Sequence, residues 1–291
     1  MAGVTVPGYS YVTPPPVVGR RRPRWWLVAV VVAWALALAG FAVWSVRNDP
    51  PTVPEQRDIA AALPVLERAT GVLIAAADAD DRAVALGELE FDTDCALTPV
   101  RAGVEASREV TVRVRADQAP AALEAIARAL PQDYAAAVRH NKAGTRHALR
   151  ADAGEFVAVD GAADANATVF TLRATTGCRP LASGVDLAPA PVVATELPTA
   201  FRDVVRALGV TTAGATSSTV ACPAGGKTAQ TVTAEDLAAP VDLGRSLRDV
   251  VAGAVIVQAD PHVWAYRIGP VSVVVGDGAG QARVTVTTGC R

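Results

Sequence analysis

Hydrophobic and polar positions alternate with two distinct periods downstream of residue 56. Spacings of three and four residues predict amphipathic helices over 57–74, 120–130, 199–208 and 243–252. A period of two, clearest in the Glu-Val-Thr-Val-Arg-Val-Arg stretch at 109–115, predicts a strand with one buried face. Similar patterns predict strands at 83–91, 145–150, 155–160, 168–175, 228–233, 262–268, 271–275 and 282–288, and one leading into Cys222.

Prolines and glycines indicate where these elements should break. Pro64 lies inside the first periodic segment and should kink or end that helix. Asp160-Gly161 and Gly276-Asp277-Gly278 have the composition of turns, so we expect the chain to reverse there.

A repeated segment indicates that the chain contains two equivalent halves. Residues 172–179 read Leu-Arg-Ala-Thr-Thr-Gly-Cys-Arg, and residues 284–291 read Val-Thr-Val-Thr-Thr-Gly-Cys-Arg. One other cysteine precedes each copy, Cys95 in the first half and Cys222 in the second. The order of helices and strands also restarts between the two copies. The sequence therefore predicts a tandem repeat.

The repeat sets the expected fold class, which is α+β. Each copy runs helix, two strands, helix, then two or three strands, so we expect an antiparallel sheet with two helices on one face. The expected organisation is a disordered cytoplasmic tail at 1–24, a transmembrane helix at 25–46, a linker at 47–56, a first repeat at 57–180, a linker at 181–195 and a second repeat at 196–291.

An uncharged apolar segment precedes the two repeats. Residues 25–46 would extend about 33 Å as a helix, enough to cross a hydrocarbon core of about 30 Å. Trp25 and Trp44 stand near its two ends, where indole rings favour the membrane interface. We therefore expect this segment to be the part of the chain that contacts the membrane.

The distribution of arginines predicts the orientation of that helix. Four arginines lie within residues 20–24, whereas only Arg47 follows closely, so the N-terminus should be cytoplasmic and the repeats extracytoplasmic. The alternative is a signal peptide that is cleaved after Ala39, because Ala37-Leu38-Ala39 matches a small-residue cleavage site. The apolar run continues to Val46, which favours an uncleaved anchor. Both alternatives export the repeats.

The charge of the exported part bears on its partners. Five of the 27 basic residues precede Asp49, whereas all 29 acidic residues lie at or after it, so the remainder carries a net charge of −7. It contains no basic patch with interleaved aromatic residues, so nucleic acid is not an expected partner. We expect an unidentified envelope protein or ligand instead.

Four cysteines in an exported chain predict disulfide bonds. Four cysteines allow three pairings, and the repeat selects Cys95 with Cys178 and Cys222 with Cys290. Each bond would join the strand after the first helix to the last strand of its repeat. We expect those strands to be neighbours, with Cα atoms within about 7 Å.

Other polar clusters predict no cofactor or metal site. His140 and His147 lie seven residues apart in a polar stretch, which is more typical of a solvated loop than of a metal site. The cluster at Asp78, Asp80 and Asp81 lacks calcium-loop spacing, which favours a solvated helix end.

One strand is the candidate binding surface. It carries the only aromatic cluster after the apolar segment, formed by His262, Trp264, Tyr266 and Arg267. The alternative is that these residues serve ordinary strand packing.

The function predicted from these features is a non-catalytic, membrane-anchored extracytoplasmic binding or scaffold protein of a bacterial envelope. No nucleophile elbow of the Gly-x-Ser-x-Gly type occurs, so we expect no enzyme activity. Two alternatives stay open. One is an exported hydrolase whose catalytic groups converge only in the fold, and the other is a bitopic component of a secretion, division or sensing complex.

Overall fold

The structure is a computed structural model that describes residues 25–48, 57–211, 214–278 and 280–291. The predicted tail at 1–24 and most of the predicted linker at 47–56 lie outside the described residues. The described part is mixed α+β, with five α-helices and 14 strands. The chain divides into two units, Met1–Pro50 and Pro51–Arg291, which are described separately below.

The first unit contains helix α1, Trp25–Asn48. Its stretch Trp25–Ser45 has a mean hydropathy of 2.4 and is long and apolar enough to be a membrane anchor or a signal sequence. Helix α2 of the second unit, Ile59–Ala77, also meets that criterion by length and composition. Half of α2 is buried, however, which is typical of the core helix of a globular domain.

The first half of the second unit forms a six-stranded antiparallel sheet in the order β1-β4-β8-β7-β6-β5. A small pair, β2 with β3, lies beside it, and a 3₁₀ turn covers Gln132–Tyr134. In chain order the elements after α2 are β1 Ala83–Asp92, β2 Ala96–Thr98, β3 Arg101–Ala102, β4 Val104–Arg113, α3 Ala119–Ala129, β5 Ala137–His140, β6 Arg146–Asp152, β7 Ala158–Asp164 and β8 Val169–Arg179.

The second half forms another six-stranded antiparallel sheet. Its elements are α4 Thr199–Leu208, β9 Thr216–Ala221, β10 Thr228–Ala238, α5 Leu243–Leu247, β11 Val255–Asp260, β12 Val263–Ile268, β13 Val271–Gly278 and β14 Gln281–Thr288. The strand order is β9-β10-β14-β13-β12-β11. This order matches that of the first sheet, strand for strand, so the two sheets fit a two-part layout.

Two predicted turns are wrong, and the first helix of the repeats does not end at Pro64. Helix α2 continues through Pro64, because its buried face packs along the whole helix and outweighs one missing N–H donor. Asp160 and Gly161 lie inside β7, where the absent side chain of Gly161 leaves room for Leu172 of β8. Strand β13 includes Gly276–Gly278, since that stretch pairs in register with β14.

Further differences concern the length and the number of elements. The helix predicted at 243–252 ends at Leu247. Strands β5 and β11 were not predicted, because each is short and lies at a sheet edge where alternation is weak.

The two halves share part of a hydrophobic core. Helix α2 packs on the first sheet, but the same core also includes Val220, Cys222 and Ala229 from the second half. Gly71 of α2 faces the Ala221 carbonyl so closely that a Cβ there would clash with it. The second half has a separate core, which lies between α4, α5 and the second sheet. It includes Phe201, Val204, Leu243, Leu247 and Tyr266.

Strand β1 is an edge of the first sheet, and the second sheet covers it. The Val84 N–H donates to Ser272 Oγ at 3.1 Å, and the Leu86 N–H donates to Thr231 Oγ1 at 2.9 Å. An uncovered edge would leave these donors free to pair with another chain. The side-chain hydroxyls of one half therefore satisfy the backbone of the other.

The structure contains the disulfides Cys95–Cys178 and Cys222–Cys290, with Cα atoms 5.8 and 5.6 Å apart. The expectation that each bond joins neighbouring strands is wrong. Strand β4 lies between β1 and β8, and β10 lies between β9 and β14. The first bond passes beside Gly103, just before β4 begins, where a side chain would clash with the Cys178 sulfur.

The disulfides suggest that this unit occupies an oxidising, extracytoplasmic compartment.

Candidate functional site

The structure does not bring the four predicted surface residues into one exposed surface. His262 is exposed, with Nδ1 2.6 Å from Asp277 Oδ1. Trp264 packs against the second core, whereas Tyr266 and Arg267 are buried. Adjacent residues of a strand point to opposite faces, so Tyr266 and Arg267 enter different environments.

Tyr266 lies in the core beneath α4 and α5. Burial raises the pKa of its phenol, and the Asp203 charge adds to that effect. Its hydroxyl has no hydrogen-bond partner among the described residues. The ring therefore packs inside the core of the second half.

Arg267 forms a buried ion pair with Asp78, which follows the last residue of α2. Arg267 Nη1 lies 2.7 Å from Asp78 Oδ1 and also donates to Arg82 O and Ser272 Oγ. The sequence-based interpretation of Asp78 as part of a solvated helix end is wrong, because its side chain is 0% exposed. The pair joins the end of α2 to β12 and so fixes one half against the other.

Hydroxyl side chains form two rows on the face of the second sheet that meets β1. The first row is Ser218, Thr231, Thr287 and Ser272, which pair across β9, β10, β14 and β13. Three of its members are buried, and this row accepts the backbone donors of β1.

The second row is Thr216, Thr233 and Thr285, paired across β9, β10 and β14. These residues are half-buried. They line an open cleft of about 330 Å³ between β1 and the second sheet. We call it the interrepeat cleft. Its lining comes from both halves: Ala85, Leu86, Gly87, Glu88, Glu90, Thr111, Thr216, Ser218, Thr231, Thr233, Glu235, Arg283 and Thr285.

Two β-bulges place charged side chains at the cleft. In β1, the register shift between Leu86 and Leu89 inserts an extra residue at Gly87-Glu88. In β10, the shift between Ala234 and Leu237 sets Glu235-Asp236 opposite Arg283. Bulges bend a strand and redirect a side chain, and they are frequent beside functional sites.

The charges at the cleft are predominantly negative. Arg283 Nη2 lies 2.7 Å from Glu235 Oε1, so these two side chains neutralise each other. Glu88 and Glu90 are exposed, and neither forms an ion pair within the described ranges. The cleft therefore presents two free carboxylates beside hydroxyls that can donate or accept, which favours a polar ligand with positively charged donors.

The sequence contains a local signal for this cleft. Three strands each carry two hydroxyls that are two residues apart and therefore lie on one face of the strand. The pairs are Thr216 and Ser218, Thr231 and Thr233, and Thr285 and Thr287. Only the strand register shows that these pairs align into rows.

No protein-family model and no curated protein matches the chain. Among solved structures, the chain is similar to the crystal structure of a DUF4853 family protein from Actinomyces odontolyticus ATCC 17982. The TM-score is 0.33 at 13% identity, and the match covers 62% of this chain and 96% of that one.

Proposed function

We propose that residues 57–291 form a non-catalytic extracytoplasmic binding module of a bacterial envelope, anchored in the cell membrane by residues 25–46. Its ligand is a polar molecule that carries ammonium groups, and the interrepeat cleft is the binding site. The observation that carries this proposal is the cleft itself, a concave surface built from both halves with paired hydroxyls and two free carboxylates.

Contacts that join the two walls of the cleft support a binding role. The buried pair of Asp78 and Arg267 and the hydroxyl contacts to β1 hold its two walls together. Arg113, the last residue of β4, also joins the two halves, because its Nη1 donates to Gln258 Oε1 of β11 at 2.9 Å. A preformed site loses less entropy on binding, so more of the interaction energy becomes affinity.

The helices support the finer repeat architecture, with two helices on one face of each sheet. Helices α2 and α3 contact each other and strands of the first sheet, and α4 and α5 do the same with the second. Under this proposal, the helices cover one face of the second sheet and leave the hydroxyl face for the first repeat and the ligand.

The residue types in the cleft favour binding over catalysis. Its threonine and serine hydroxyls would need a base to act as nucleophiles, and within the described ranges none of them is hydrogen-bonded to Glu88 or Glu90. All three histidines of the chain lie outside the cleft lining.

Replacing Glu88 and Glu90 together by Gln should weaken the binding of spermidine, a polyamine probe, by about tenfold. Each lost 1.4 kcal/mol of charge-assisted hydrogen bonding corresponds to about a factor of ten. Isothermal titration calorimetry of the full chain in detergent measures this effect. The matched control replaces Glu124 and Glu196 by Gln, which removes the same charge from exposed positions outside the cleft.

The control separates site binding from general attraction to an acidic protein. Equal weakening in both double variants, or no binding to the wild-type chain, would contradict the cleft proposal. A Thr233→Leu variant adds a second measure, since it removes a cleft hydroxyl without changing charge.

The proposed topology places Arg291 outside the membrane. A phosphatase reporter that is active only when exported should therefore be active when it is fused after Arg291. The arginines before Trp25 should keep the N-terminus inside and direct the rest outward. Enzyme assays on intact cells, with a reporter fused after Arg24 as the inside control, test this orientation. N-terminal sequencing of the mature protein is the second readout, and a mature chain beginning at Gly40 would refute the anchor.

A further inference from the structure

The hairpin of β5 and β6 brings two of the three histidines together. His140 and His147 are directly opposite each other, with ring centroids 5.9 Å apart. The Asn141 N–H donates to Arg146 O, which makes that adjacent pair the hydrogen-bonded one. The histidines therefore occupy a non-hydrogen-bonded position, where opposite side chains come closest.

The turn that joins the strands is held by the side chain of Asn141. Its Oδ1 accepts from the N–H groups of Thr145 and Arg146, and its Nδ2 donates to Thr145 Oγ1. These bonds fix the turn and hence the register that sets the histidines opposite each other. The pair is thus held by local structure rather than by chance rotamers.

The hydrogen bond of His147 leaves its other ring nitrogen without a partner among the described residues. His147 Nε2 lies 3.2 Å from Gly144 O, and a carbonyl oxygen can only accept, so Nε2 of the neutral ring carries the proton. Nδ1 then presents a lone pair; this nitrogen is buried and has no hydrogen-bond partner among the described residues. A histidine that donates its second nitrogen to a backbone carbonyl is the usual arrangement of a metal ligand.

We propose that His140 and His147 together bind one divalent transition-metal ion, with water completing its coordination. Imidazole nitrogen is a preferred ligand of Ni²⁺, Cu²⁺ and Zn²⁺. On β7, the residue opposite His147 is Ala163, whose methyl side chain offers no competing ligand. This site is separate from the interrepeat cleft and does not depend on the function proposed for it.

The surroundings limit the affinity of this site. No group of three or more histidine, cysteine or acidic side chains that could hold a metal occurs within the described ranges. Lys142 in the turn and Arg139 on β5 add positive charge nearby, whereas Asp164 stands opposite Arg146. We therefore expect weaker binding than at a site with three protein ligands.

Calorimetric titration of the untagged full chain in detergent with NiCl₂ tests the site. We expect one ion per chain, and about a tenfold or greater loss of affinity in each of His140→Asn and His147→Asn. The matched control is His262→Asn, which removes the third histidine, and it should bind like the wild-type chain.

Thermal unfolding of each variant without metal shows whether it still folds. Ni²⁺ should raise the melting temperature of the wild-type chain and of His262→Asn, but not of the two hairpin variants. The proposal is overturned if the wild-type chain binds no Ni²⁺, if folded hairpin variants bind as tightly as the wild-type chain, or if only His262→Asn loses binding.

Discussion

Replacing Arg267 by Met should lower the free energy of unfolding by about 3–5 kcal/mol, because it leaves a buried carboxylate without its cation. Asp78 is fully buried, and its nearest other cation is Arg291, with Nε 3.9 Å from Oδ2. The variant also removes donors to Arg82 O and Ser272 Oγ. Urea unfolding of the full chain in detergent, followed by circular dichroism, measures the loss.

The matched control is Arg283→Met, which removes the same charge from an ion pair of similar length. Its partner Glu235 and Arg283 itself are 53% and 65% exposed, so the expected loss is within about 1 kcal/mol. An Asp78→Asn and Arg267→Met double variant should lose less than the sum of its single variants. Equal losses in Arg267→Met and Arg283→Met would show that the buried pair does not hold the halves together.

Elements with strong local periodicity were predictable from the sequence. Helix α4 is observed at its predicted bounds, 199–208, because Phe201, Val204 and Leu208 form one apolar face and Gly209 ends the helix. The short edge strands β5 and β11 give no such signal. Their existence depends on pairing with a neighbouring strand.

The candidate site was less predictable because it lies between the halves. Burial of Asp78 and of Arg267 follows from their contact with each other, 189 residues apart in the chain, and no local pattern encodes that contact. The hydroxyl pairs were visible as alternation along each strand. Their alignment into rows required the register of three strands.

The repeated Thr-Thr-Gly-Cys-Arg segment shows that two identical stretches of sequence can have different environments in the fold. Arg179 of the first copy is 1% exposed and donates to Thr176 O and Glu155 O. Arg291 of the second copy is exposed, and its Nη2 lies 2.8 Å from Asp80 Oδ1. The environments differ because only the second copy packs against the end of α2. Repeat equivalence therefore predicted the cysteine pairing but not the role of the arginine.

Replacing Cys290 by Ser should lower the free energy of unfolding by about 4 kcal/mol, the chain-entropy value for a loop of this size. The bond spans 68 residues and ties β14 to the chain just after β9. Cys222 is 5% exposed and packs in the core that contains α2, so the loss should extend beyond the second half. Unfolding by urea measures the loss, and alkylation with peptide mapping should show a free thiol at Cys222.

Cys95→Ser is the matched control, since it opens the other disulfide, which spans 83 residues. It should free Cys178 and leave the Cys222–Cys290 bond intact. A Cys95–Cys222 or Cys178–Cys290 peptide from the wild-type chain would contradict the pairing. Unchanged stability in Cys290→Ser would contradict the predicted contribution of the bond.

The two large effects should not be additive. Gly289 precedes Cys290 and lies against the Asp78 carboxylate so closely that a side chain there would clash with it. Loss of the disulfide should let Gly289 move away from Asp78, so that water reaches the ion pair of Asp78 and Arg267. A hydrated Asp78 costs less free energy when its cation is removed. The Arg267→Met and Cys290→Ser double variant should therefore lose less stability than the sum of the single variants. A strictly additive loss would show that the disulfide and the buried ion pair act independently.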